Sequence, residues 1–176
     1  MEISTRFAGT FGISKNLDVN LPLLALQDFS GVDISIIPNT YEIVLDKSYI
    51  DRYKVKYDYQ RVYIDFDDTL VFNREKYNTE AMRFLYQCLN NKKEIVLITK
   101  HPYDLNKTME SNKLCSAIFD KIIEVPLNEP KYGFIASDVK SIFIDNAFAE
   151  RKLVKEQLHI PTFDVTNIEC LIDWSE

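Results

Sequence analysis

Residues 62–70 read VYIDFDDTL, and this stretch decides the fold. Val62, Tyr63 and Ile64 are apolar and β-prone, enough with their neighbours for a buried strand. The run ends abruptly in Asp65, Asp67 and Asp68, carboxylates that an apolar sheet interior does not tolerate unpaired. In an extended chain the side chains at i and i+2 leave on the same side, so Asp65 and Asp67 can converge on one ion. Asp68 then reads as a solvated turn residue. A buried strand that delivers two carboxylates at its carboxyl end suits a metal and a phosphate. The plainer reading is a strand followed by an acidic turn, and the rest of the chain decides between the two.

From residue 58 onward, strand and helix patterns alternate. Asn78 or Thr79 caps a helix to about residue 91, with Ala81, Phe84, Leu85, Cys88 and Leu89 on one stripe. Residues 95–98 form a buried strand closing on Thr99, and Pro102 opens a second helix lined by Leu105 and Met109. Residues 118–125 are the next strand, with Pro126 and Pro130 bounding a loop. Residues 141–144 make a short buried strand ending at Asp145. A helix over 147–158 carries Phe148, Leu153, Val154 and Leu158, followed by a strand at 161–165 and a turn or helix at 168–172. Apolar strands alternating with helices imply a parallel sheet covered on both faces, an α/β fold of Rossmann-like type. In such sheets ligands bind beyond the carboxyl ends of the strands, which is where Asp65, Asp67, Thr99 and Asp145 fall.

The bulk numbers narrow the class. At 176 residues the chain fits one domain or one domain with an appendage. A net charge of −6 argues against an extended nucleic-acid footprint, which needs a basic surface. No apolar run approaches the ~20 residues of a membrane helix, and the N-terminus lacks a secretory layout. Cys88, Cys115 and Cys170 are widely spaced with apolar neighbours, so reduced core thiols in a cytoplasmic protein are expected. His101 and His159 are the only histidines, which excludes a multi-histidine metal centre; His101 reads as a loop histidine near the site.

Residues 1–57 read as a small α+β appendage to a domain over 58–176. Asn20 caps a helix with Pro22 in its first turn, Leu23, Leu24, Leu26 and Phe29 on its apolar side, and Gly31 at its close. Residues 32–37 and 41–45 read as a hairpin around Pro38-Asn39-Thr40, and residues 46–59 as a linker or surface helix. The opening EISTRFAGTFGISKNLDVNLPLLAL resembles the closing segment of ATP-grasp ligases, where an E-I-N-x-R strand carries metal ligands. Glu2 and Arg6 match it, while Ser4 replaces the asparagine. The segment is too short to rebuild that fold, so it reads as a remnant packed on the larger domain, with Glu2 a solvated carboxylate.

The carboxyl-edge residues supply what phosphoryl transfer requires: a nucleophile, a proton for the leaving oxygen and positive charge on the equatorial oxygens. In that reading Asp65 attacks phosphorus, Asp67 is the acid–base, Asp145 completes a Mg²⁺ site and Thr99 donates to a phosphoryl oxygen. Residues 59–176 resemble the haloacid dehalogenase-like (HAD) superfamily. D-x-D-x-T is met by Asp65, Asp67 and Thr69, the strand ending in Thr by IVLIT at Thr99, and the acidic strand end by SIFIDNAFAE. The resemblance implies Asp65, Asp67 and Asp145 as metal ligands, with Asn146 and Glu150 supporting them. It places the motif lysine at Lys131, with Lys121 and Lys100 as alternatives. Asn146 stands where some members have a second Asp, and Ile144 where many have Gly. The expected activity is Mg²⁺-dependent hydrolysis of a phosphomonoester through an aspartyl-phosphate. A phosphotransferase, or a non-catalytic partner of an ATP-grasp subunit, are the alternatives. Residues 70–95 and 99–131 leave no room for a substantial cap. The site should therefore be open to a small phosphorylated metabolite or an exposed phosphate on a larger substrate, and the appendage, a second copy or an ATP-grasp partner would be its cover.

Overall fold

The computed structural model describes residues 12–47 and 51–173. Glu2, Ser4 and Arg6, on which the ATP-grasp resemblance rests, lie outside the described residues. In chain order the elements are α1 (Ile13–Asn16), α2 (Leu21–Phe29), β1 (Ile43–Lys47), β2 (Asp51–Val55) and β3 (Arg61–Ile64). A small hairpin, β4 (Val71–Phe72) and β5 (Lys76–Tyr77), precedes α3 (Thr79–Asn90) and β6 (Glu94–Thr99). Next come α4 (Leu105–Ser111), β7 (Lys121–Glu124), β8 (Ser141–Ile144), α5 (Phe148–Leu158) and β9 (Thr162–Phe163). Short 3-10 helices occupy Ser116–Ile118, Lys131–Phe134 and Val165–Leu171.

Five strands form one parallel sheet in the order β7-β6-β3-β8-β9. Val62, Tyr63 and Ile64 thus lie on its central strand. From β3 the chain winds outward through β6 and β7, then returns to the other side for β8 and β9. The winding reverses between β6, β3 and β8, and a crevice for ligands opens at such a switch point beyond the carboxyl ends. Strand alternation sends Val62, Ile64, Ile95, Leu97, Ile142 and Ile144 to one face, under α3, α4 and the Val165–Leu171 helix. It sends Tyr63, Val96, Ile98 and Phe143 to the other, where Val154 of α5 and Ile135 pack. The expected α/β architecture, with a parallel sheet covered on both faces, is present.

Several boundaries differ from the sequence expectation for identifiable reasons. Helix α4 starts at Leu105 rather than Pro102, because the Asp104 side chain accepts from the backbone N–H of Lys107 at 3.1 Å. Asp164 caps the Val165–Leu171 helix, which leaves β9 only two residues. Residues 118–125 hold the end of a 3-10 turn before β7 begins. Phe148 and Leu89, expected on apolar stripes, stand at the margins of their helices and are exposed.

The N-terminal part departs most. Residues 32–40 form no strand, and the hairpin is β1 with β2, in register from Ile43↔Val55 to Lys47↔Asp51. What reads as a linker is a strand because Tyr53, Val55, Tyr57 and Tyr59 recur at period two and pack on the core. Asn20 does cap α2, accepting from Leu23 N–H at 3.1 Å, but no residue of that helix is buried. Asn39 is not a turn residue. Its buried side-chain amide donates to Thr162 O at 2.8 Å and accepts from Thr162 N–H at 3.0 Å, closing the free edge of β9 as a neighbouring strand would. Tyr41 stacks on Phe163 with ring centres 6.4 Å apart. Cys88 and Cys170 are buried as expected, Cys115 is exposed, and no disulfide joins them. Among the described residues no helix is long and apolar enough to cross a membrane.

Candidate functional site

The register of the central strands builds the site. Ile64 of β3 lies opposite Ile144 of β8, so the next residue on each strand, Asp65 and Asp145, emerges side by side at the carboxyl edge. The backbone continues the pairing for one more bond, Asp65 N–H to Ile144 O at 3.0 Å. By alternation both carboxylates belong to the face of Tyr63 and Phe143, the face on which residues 131–135 pack. Lys131 enters from there. Its Nζ lies 2.5 Å from Asp65 Oδ1 and 2.6 Å from Asp145 Oδ2. All three are nearly sealed from solvent, at 5, 1 and 3% exposure for Asp65, Asp145 and Lys131.

Burial dominates the electrostatics. It pushes Asp65 up to about 6, with the attraction of Lys131 opposing and the charge of Asp145 adding to the rise. Asp145 is raised for the same first reason, again against the pull of Lys131. Burial works against the Lys131 charge, but the two carboxylates outweigh it and the ammonium is held above its ordinary value. Two carboxylates facing one ammonium leave an excess of negative charge in a low-dielectric pocket.

After β3 the chain turns through Phe66–Val71, with Asp68 at φ 53°. The Asp67 carboxylate lies against His101, whose Nδ1 is 2.8 Å from Asp67 Oδ2 and 3.1 Å from Oδ1. The His101 side chain is fully buried, with Nε2 at 2.9 Å from Thr108 Oγ1. It is therefore more than the loop histidine expected from sequence. The signal that marks it is position, two residues past the carboxyl end of β6.

The remaining expected residues divide. Thr99 ends β6 fully buried, and its hydroxyl has no hydrogen-bond partner. The hydroxyls of Ser141 and Thr162 share that condition, but Ser141 opens its strand, whereas Thr99 stands at the carboxyl end. Asn146 donates its backbone N–H to Thr69 Oγ1 at 3.2 Å, and the Thr69 hydroxyl lies 3.3 Å from Asp65 Oδ2. Thr69 thus ties the loops after β3 and β8 together. Glu150 accepts from Lys131 N–H at 2.9 Å and pairs with Lys100, so it positions Lys131 from the first turn of α5. Of the three candidate lysines only Lys131 reaches the carboxylates; Lys121 is exposed on β7 and Lys100 serves Glu150. Asp68 accepts from Asn73 N–H at 3.0 Å within the turn.

Arg151, which no sequence pattern singles out, braces the loop from beneath. Its Nη1 donates to Asp145 O at 2.8 Å and to Asn146 O at 2.9 Å, and its Nε reaches Asp18 Oδ2 at 3.3 Å. Asp18 also accepts from Asp164 N–H and the Asn167 amide, both at 2.8 Å, which fixes the N-terminal segment to the back of the site. A cleft of about 640 Å³ opens at the carboxyl edge, bordered by Asp67, Asn73, Arg74, Lys100 and Leu127. Among the described residues none from 12–47 lines it. Asn73 and Arg74 come from the β4–β5 hairpin, an element not expected between residues 70 and 95.

Among the described residues no three His, Cys, Asp or Glu side chains gather to hold a metal ion. The donor set offered is the Asp65–Asp145 pair, hard oxygens carrying excess negative charge. That suits Mg²⁺, which takes one or two carboxylates and fills the octahedron with phosphate and water. Comparison with family models, curated proteins and solved structures returns no match for this chain.

Proposed function

We propose that the chain is a Mg²⁺-dependent phosphomonoester hydrolase of HAD-like type working through an aspartyl-phosphate on Asp65. The observation that carries the reading is the buried Asp65–Lys131–Asp145 arrangement at the switch point of a parallel sheet. One ammonium between two buried carboxylates leaves a net negative charge, which is costly unless another cation or a ligand answers it.

In this mechanism Asp65 and Asp145 would hold Mg²⁺, which when bound supplies charge neutralisation at the phosphoryl oxygens. Asp65 attacks phosphorus with one carboxylate oxygen, and the bond to the leaving oxygen breaks as Asp67 protonates it. Asp67 then takes a proton from the water that attacks the acyl phosphate, releasing phosphate and restoring Asp65. Lys131 and the Thr99 hydroxyl offer donors to the equatorial oxygens, and the orphaned state of Thr99 is what a group awaiting a ligand oxygen presents. With Asp67 at the cleft border and no cap insertion nearby, the reading extends to small phosphorylated metabolites or phosphates displayed on a larger molecule.

The test is hydrolysis of aryl phosphate with Mg²⁺, comparing the chain with folded Asp65→Asn and Asp67→Asn variants. Turnover abolished by the first and strongly reduced by the second is expected. Activity that survives Asp65→Asn removes the nucleophile and with it the mechanism.

A further inference from the structure

We propose that His101 is the positioning residue of the Asp67 acid–base group, holding its carboxylate toward the leaving oxygen through Nδ1. The proposal rests on the phosphatase reading and assigns a role to a residue outside the expected set.

The geometry leaves His101 little other purpose. Its side chain is fully buried, while its partner Asp67 remains about one-third exposed at the cleft border. Phe66 and Tyr103 meet the ring edge-on, with centres 5.5 and 5.7 Å away, so it cannot swing. The far nitrogen is fixed by Thr108 on α4, and Thr108 is itself anchored, its hydroxyl lying 3.0 Å from Asp104 O. The Nε2 contact to Thr108 and the Nδ1 contact to Asp67 lie at opposite sides of the ring, so anchoring one fixes where the other points. The series Asp104 C=O, Thr108, His101, Asp67 thus links the cap of α4 to the cleft without a break. A carboxylate meant only to sit in a turn, as Asp68 does, needs no such support.

The expected defect scales with the need for leaving-group protonation. The full-length protein with Mg²⁺ would be assayed on an aryl phosphate with an acidic leaving group and on an alkyl phosphate with a basic one. His101→Phe keeps the ring's shape without its nitrogens, and His101→Asn keeps an amide near the Nδ1 position that can hydrogen-bond Asp67. For His101→Phe, kcat on the alkyl substrate should fall about 100-fold and much less on the aryl substrate, with KM little changed on either. His101→Asn should recover most of the loss. In an Asp67→Asn background His101→Phe should cost nothing further, because it acts through Asp67. Thermal melts establish that each variant is folded, and Thr108→Val, which frees the ring without removing it, gives a milder version of the same pattern should His101→Phe not fold. Equal losses on both substrates, or a full additional loss in the Asp67→Asn background, overturn the assignment while leaving the phosphatase reading in place. A wild-type chain that turns over neither substrate overturns both.

Discussion

Replacing Lys131 with methionine tests the site's electrostatics more sharply than any other single change. The ammonium sits 2.5 and 2.6 Å from two carboxylates that are almost wholly buried. At an effective dielectric of about 20, a unit pair that close attracts by roughly 6 kcal/mol, and desolvating each ion returns much of it. Removing one partner of a buried pair costs about 3–5 kcal/mol because the other is left uncompensated. Here two carboxylates are abandoned, so Lys131→Met should lose about 5 kcal/mol at pH 8, measured by urea denaturation followed by circular dichroism. The sign with pH follows from burial. Asp65 is already pushed up to about 6 with the lysine present, and rises further without it. At pH 5 Asp65 protonates, one of the two abandoned charges is gone, and the penalty should shrink to under about 2 kcal/mol. Millimolar Mg²⁺ at pH 8 should return part of the loss by binding only the folded state. A penalty below about 1 kcal/mol at pH 8, or one that does not change with pH, would refute the reasoning.

Three further outcomes are expected. Thr99→Val should lower phosphate-ester turnover about 100-fold while leaving stability unchanged or improved in a thermal melt, since it removes an unpartnered buried hydroxyl. At limiting Mg²⁺ the acid limb of kcat/KM should fall near pH 6, above the ordinary aspartate value of 3.8, because activity requires Asp65 deprotonated; saturating Mg²⁺ should move the limb to lower pH. Asn39→Ala should cost roughly 2–4 kcal/mol in urea denaturation, because it unpairs both backbone groups of Thr162, yet leave kcat of the folded protein within about twofold.

The parallel sheet is legible in the sequence because β3, β6 and β8 are short apolar runs with polar ends, and that pattern does not depend on distant partners. The adjacency of Asp65 and Asp145 comes from strand register, which sequence implies only once the fold class is assumed. The seat of the Asp67 carboxylate against His101 is not legible, because it joins the loops after β3 and β6 across 34 residues of sequence. His101 and Arg151 escape a sequence reading for a related reason. Each acts across elements distant in sequence, one on Asp67 and one on the Asp145–Asn146 carbonyls and Asp18, and no local pattern records a bond over such separations. The N-terminal hairpin is misplaced from sequence because residues 32–37 carry β-prone residues with no partner strand, whereas the tyrosine series after residue 51 has a core to pack on.

The central claim is a covalent phosphoryl group on Asp65. Mixing the chain with Mg²⁺ and an aryl phosphate, quenching in the steady state and reducing with borohydride converts an acyl phosphate to an alcohol at the modified residue. Peptide mass spectrometry then locates it. The reduced side chain is predicted at position 65 alone, dependent on substrate and Mg²⁺. Turnover without any reduced product at position 65, or with the product at Asp67 or Asp145 instead, would contradict it.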